Sequence, residues 1–189
     1  MKLKFLLFLV FSLSTGLTFS FINNKNVAIE NFRFNLNLYD REKEAEAIKS
    51  AIKQYNKNSA SFYNSAGFLA GLEEIPAAPL IKRRLFKDIN MLKRDGLVMV
   101  FDKDAVEMKR IIFLNSALAV AETEEVWAIS LQEIDTRKPL FNIKASEVKV
   151  RYLFHKEPFL TEKKEWIAHE VDVYPDNEDF PELDIKPVL

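Results

Sequence analysis

Cysteine is absent from this chain and histidine occurs twice. Disulfides, thiol nucleophiles, cysteine-ligated zinc and a lipidated cysteine are therefore excluded, and imidazole chemistry is confined to His155 and His169. Glycine is scarce, with four residues among 189, and no glycine-rich phosphate loop can be assembled from them. An excess of either charge is also missing. Twenty-seven Lys and Arg face 28 Asp and Glu, for a net charge of −1, whereas a nucleic-acid partner calls for a basic face. No metal ligand set and no cofactor motif stands out. The pattern of the chain is consequently more informative about fold than about reaction.

What is present begins with an address. Lys2 and Lys4 precede the apolar run Phe5–Phe11, and the small residues Thr18 and Ser20 stand where a signal peptidase reads. Residues 1–20 read as a secretory leader, which places the protein in the periplasm or outside the cell. The rival reading is an uncleaved membrane anchor, because Phe5 to Ile22 has about the minimum spanning length. The remaining ~170 residues suit one domain with a single core. Its charges segregate: Lys82, Arg83, Arg84, Lys87, Lys93 and Arg94 crowd one segment, and Asp176, Glu178, Asp179, Glu182 and Asp184 crowd the tail. Two solvated faces account for this, as does a docking surface.

Residues 21–40 read as an extended linker or clasp, since Phe32, Phe34, Leu36 and Leu38 alternate with polar residues. Asp40 offers a capping oxygen to a first helix, in which Ala45, Ile48, Ile52 and Tyr55 recur at helical spacing to about Asn56. A second helix from about Ser59 places Phe62, Ala66 and Leu69 on one side, and Gly71 is its expected left-handed stop. Pro79 suits the first position of a third helix, with Ile81, Leu85, Ile89 and Leu92 as its apolar stripe and Gly96 as its end. Beyond Gly96 the period changes from about four to two. Leu97–Phe101 forms a short strand, and Val106, Met108, Arg110, Ile112 and Leu114 mark one side of the next. Ala117–Leu131 is a long strand expected to bulge where its apolar side changes near Glu122–Glu125. Val148, Val150, Tyr152 and Phe154 alternate with charged residues, and Trp166–Tyr174 closes the series. Residues 175–189 form an acidic, proline-containing tail that reads as loosely held. Helices followed by a meander of strands predict an α+β domain over 41–174, a curved antiparallel sheet folded around the helices as a cone with one open end.

The segment Leu92-Lys93-Arg94-Asp95-Gly96, the strand Val106–Ile111, the run Ala117–Trp127, the strand Val148–Phe154 and Glu165-Trp166-Ile167 together resemble the nuclear transport factor 2-like superfamily. Within it they are most similar to the intermembrane-space domain of plastid-division proteins and their bacterial relatives. The resemblance covers roughly residues 41–174 and rests on element order and alternation. It implies a cone fold, an extracytoplasmic setting in the nearest variant and usually a binding or scaffold role. Together with the leader and the lack of a convergent catalytic set, this leads to the expectation of a non-enzymatic module whose partner is an envelope protein or a small apolar ligand, or which forms a homodimer through the sheet face. The outer face of the sheet is the expected partner surface, with the basic third helix second. The periplasmic domain of a type IV secretion scaffold has a similar shape.

Enzymes of that superfamily, among them ketosteroid isomerases and scytalone dehydratases, work inside the cone with an Asp or His base. On that alternative the protein is a small-molecule binder or a lyase/isomerase. His169 shares parity with Ile167, Val171 and Val173 and would be the base, or else a hydrogen-bonded core or edge histidine. Glu122 and Glu124 share a face and would supply the acid, or else solubilise the surface. Tyr152, Trp127, Tyr55 and Tyr63 would line a ligand cavity, although packing explains them equally well. His155 is expected to point outward. Asp102, Asp104 and Glu107 read as turn chemistry, since calcium needs more oxygen ligands.

Overall fold

The computed structural model describes residues 28–31, 38–102, 105–160, 162–175 and 179–181. The leader and the alternating run 32–37 lie outside them. Helices α1 (Leu38–Asn64), α2 (Leu69–Glu73) and α3 (Pro79–Arg94) precede strands β2 (Leu97–Asp102), β3 (Val106–Asn115), β4 (Leu118–Glu133), β5 (Pro139–Pro158) and β6 (Lys164–Pro175), with a short β1 at Ala28–Asn31. Among the described residues no helix is long and apolar enough to cross a membrane.

The third helix forms as its sequence dictates. Pro79 sits at its first position, Ile81, Leu85, Ile89 and Leu92 are buried, and Gly96 leaves it at φ 71°. Each of those four side chains contributes roughly 2 kcal/mol of transfer free energy. The first two expected helices are instead one helix of 27 residues. Its apolar stripe of Ala45, Ile48, Ile52 and Tyr55 continues through buried Asn56 and Ser59 to Phe62 and Tyr63. These polar positions read as a break, but Asn56 reaches Glu125, and nearby Asn58 donates to the Glu74 carbonyl at 2.6 Å. The helix stops at Ala66 and Gly67, both at positive φ, rather than at Gly71. Gly67 N–H donates to Phe62 O and Ala66 N–H to Tyr63 O, the paired bonds of a Schellman ending.

Every strand beyond Gly96 pairs antiparallel, in the order β3-β4-β5-β6, with β2 on the second half of β4 and β1 adding parallel to β3. The sheet curls into a half-barrel around the helices, an α+β arrangement. Two one-residue irregularities decide which side chains face inward. In β3, Met108 pairs with Thr123 and Arg110 with Glu122, so Lys109 is extra. Val106 and Met108 face the core before it and Ile111 and Phe113 after it, which corrects the single-sided reading of that strand. In β6, Ala168 pairs with Phe154 and Glu170 with Leu153, leaving His169 extra. The expected change of side within β4 does not occur: Ala119, Ala121, Trp127, Ile129 and Leu131 all belong to the core. The bulges needed to curve the sheet fall on its neighbours instead.

Candidate functional site

Because β4 holds one parity, Thr123 and Glu125 enter the interior between Ala121 and Trp127, and both are fully buried. Glu125 Oε1 accepts hydrogen bonds from the Tyr152 hydroxyl at 2.7 Å, Thr123 Oγ1 at 2.8 Å and Asn56 Nδ2 at 3.4 Å. Its Oε2 accepts from Trp127 Nε1 at 2.9 Å. The phenol has one proton, which goes to the nearer carboxylate oxygen, and Asn56 Oδ1 lies 3.2 Å from the phenol oxygen. Burial raises the Glu125 carboxyl above its ordinary value, and the bonds from Tyr152, Trp127, Thr123 and Asn56 oppose this. Burial, followed by the neighbouring Glu125, holds the Tyr152 phenol well above the usual range. Tyr55 meets the Tyr152 ring edge-on at 5.8 Å, and Phe154 stacks on it at 5.7 Å. Tyr55, Tyr152 and Phe154 thus pack beside the carboxylate, and Phe62, Tyr63 and Phe113 fill other parts of the core, each of the six less than 2% exposed.

Of the expected ligand-lining residues, Tyr152, Trp127 and Tyr55 therefore converge, as packed and hydrogen-bonded parts of the core. Tyr63 lies against Phe101, 5.2 Å between ring centres. The residue they converge on, Glu125, is not among the sequence candidates. Its parity with Trp127, Ile129 and Leu131 was the available signal.

Glu122 and Glu124 do share a face, and it is the outer one. Glu122 is 3% exposed between two guanidinium groups. Arg151 Nη2 lies 2.7 Å from Oε1, and Arg110 Nε lies 2.9 Å from Oε2. Glu124 pairs with Lys109 at 2.7 Å. The described part of the tail folds over this face. Arg151 donates to the Pro181 carbonyl and lies under the Phe180 ring, and Phe180 meets Tyr174 edge-on.

His169 is likewise on the outer face, because its bulge breaks the parity that placed it with Val171 and Val173. It stacks on His155 with ring centres 3.9 Å apart and planes 15° apart. His169 Nε2 lies 2.9 Å from Glu157 Oε1, and His155 Nδ1 lies 3.7 Å from the same oxygen. Burial, then the adjacent His169, lowers His155 below its ordinary value. The sheet thus separates His169, Glu122 and Glu124 from the hydroxyl of Tyr152.

Two surface clefts flank the β5–β6 hairpin. One, of about 430 Å³, lies between α1 and the hairpin and carries Lys43, Lys156, Lys163 and Lys164. Glu44 crosses it, accepting from Lys156 Nζ at 2.6 Å and Trp166 Nε1 at 2.7 Å. The other, of about 600 Å³, runs between α3 and the hairpin and is lined by Leu72, Pro79, Lys82, Arg83, Phe86 and Phe159 among others. Phe86 is 41% exposed there and neighbouring Leu80 64%.

Among solved structures the chain is similar to the crystal structure of the intermembrane-space region of chloroplast protein ARC6. The TM-score is 0.57 at 12% sequence identity, over 69% of this chain and 96% of that one. No protein-family model and no curated protein matches it. At this identity the likeness establishes a shared fold.

Proposed function

We propose that this is a non-enzymatic, extracytoplasmic binding or scaffold module of the nuclear transport factor 2-like kind, and that it works through its exterior. The observation that carries the reading is the sealed interior. Among the described residues, the carboxylate brought into the half-barrel, Glu125, is consumed by four protein donors, and the packed side chains beside it leave no open face on which a substrate could meet it. The likeness to an intermembrane-space region and the apolar leader support the extracytoplasmic setting.

Of the two expected partner surfaces, the observations favour the basic helix. The outer sheet face around Glu122 is occupied by its own ion pairs and by residues 179–181. The groove beside α3 instead presents Phe86 and Pro79 next to Arg83 and to Lys82, whose own pairing, with Glu73 at 3.4 Å, is exposed on the carboxylate side. That combination fits a segment of an envelope protein in which apolar residues stand beside acidic ones. A photo-reactive phenylalanine analogue placed at Phe86, and in a separate chain at Glu124, tests this in living cells. The expected result is a crosslink from position 86 to an acidic, apolar segment of one envelope protein, abolished by Arg83→Glu. Crosslinks from position 124 alone, or from neither, overturn the choice of surface.

A further inference from the structure

Both histidines of the chain, carried on different strands, meet at one place on the outer face together with Glu157. On β5, His155 and Glu157 are two apart and share a side. On β6 the extra residue at 169 delivers the second imidazole to them, the kind of re-aiming that a bulge performs. The ligand atoms of the three residues all lie within 4.8 Å of one another. Two bonds of about 2.1 Å at a tetrahedral angle put ligand atoms roughly 3.4 Å apart. The observed 2.9 Å and 3.7 Å from Glu157 Oε1 to the two ring nitrogens bracket that spacing.

The short contact has a further property. His169 Nε2 is shut off from solvent and, although 2.9 Å from the carboxylate oxygen, lacks the alignment of a hydrogen bond. A shared proton must lie close to the N···O line. A metal ion bound to both atoms stands off that line, at the apex of a triangle. We infer that His155, His169 and Glu157 form a binding site for a divalent first-row transition ion such as zinc. Two imidazoles and one carboxylate suit that class, and three protein ligands leave a coordination position open. Hard cations such as calcium, which require six or more oxygens, are excluded by the same set.

Titration of the full chain with Zn²⁺ by calorimetry, and with Co²⁺ by visible absorption, tests the site. The expected result is saturable binding of one ion per chain, with cobalt bands of a low-coordinate nitrogen and oxygen site. His155→Gln, His169→Gln and Glu157→Gln are each expected to weaken binding on the order of tenfold or more while retaining the wild-type circular dichroism. Because Glu157→Gln changes one half-exposed group, it keeps the test decisive if a histidine variant misfolds. Absence of saturable binding up to about 1 mM ion, or equal binding by wild type and the three variants, overturns the assignment.

Discussion

Replacing Tyr152 by Phe removes one hydroxyl and leaves the ring packing against Tyr55 and Phe154 in place. The lost bond is the 2.7 Å contact to Glu125 Oε1. A hydrogen bond to a charged group is worth about 1.5–3 kcal/mol, more so when its loss leaves a buried acceptor short of a partner. Tyr152→Phe is therefore expected to cost about 2 kcal/mol, or ~4–8 °C in Tm for a domain of this size. Glu125→Gln behaves differently. The amide oxygen can take the bond from Trp127 Nε1, the hydroxyls of Tyr152 and Thr123 can turn to accept from the amide nitrogen, the long 3.4 Å bond from Asn56 Nδ2 is given up, and no charge stays buried. It is expected to be neutral or stabilising at pH 7. In that background Tyr152→Phe breaks a neutral bond and costs ~1 kcal/mol, for a coupling of about 1 kcal/mol. The sign with pH follows from the raised carboxyl. Wild-type stability is fully present below the ordinary value of 4.5 and is lost as pH rises through the higher value of the folded state, and Glu125→Gln abolishes that loss. Urea unfolding of the four proteins between pH 4 and pH 8 measures all of this. A cost above ~3 kcal/mol for Glu125→Gln, with an unchanged pH profile, would refute the reasoning, because it would mean that the buried charge itself stabilises the fold.

Gly67 lies at φ 84°, and a Cβ there meets Ile89 Cγ2 at 2.6 Å. Gly67→Ala adds left-handed strain to a clash with a buried, β-branched neighbour and is expected to cost about 2–4 kcal/mol, read as a fall in Tm. Asp88 on α3 is raised to about 6, by burial first, against the lowering influence of Arg84 and Lys87. Its contribution to stability is complete below 3.8 and is lost as pH rises through about 6, so Asp88→Asn is expected to stabilise by about 1 kcal/mol at pH 7 and by nothing at pH 3.5. Unfolding curves at the two pH values check this.

The order of elements was legible in the sequence because it is written in uninterrupted periods. The stripe of α3, the turn at Gly96 and the alternation of Val150, Tyr152 and Phe154 each stand in the structure as read. What escaped was long-range. Asn56 and Ser59 read as a break in α1, since nothing nearby shows that Glu125, distant in sequence, supplies a partner for Asn56. One extra residue at Lys109 and another at His169 reverse every parity beyond them, and no residue type marks either position. Alternation pairs Glu122 with Glu124 on one face and leaves Glu125 alone on the other, so a reading that looks for paired acids selects the outer two. Among the described residues the carboxylate that enters the interior, Glu125, is the one whose same-face strand neighbours are Thr123 and Trp127.

The central claim is that the half-barrel is closed around Glu125, and the indole N–H of Trp127 reports on it directly. The chain has two tryptophans, hence two indole signals in a proton–nitrogen spectrum, and both side chains are buried, Trp127 at 6% exposure and Trp166 at 3%. Hydrogen exchange at the Trp127 indole is expected to require global unfolding, so that its rate rises with urea by the same factor as the unfolding equilibrium. Fast exchange that does not respond to urea would contradict a sealed interior and reopen it as a site for ligands.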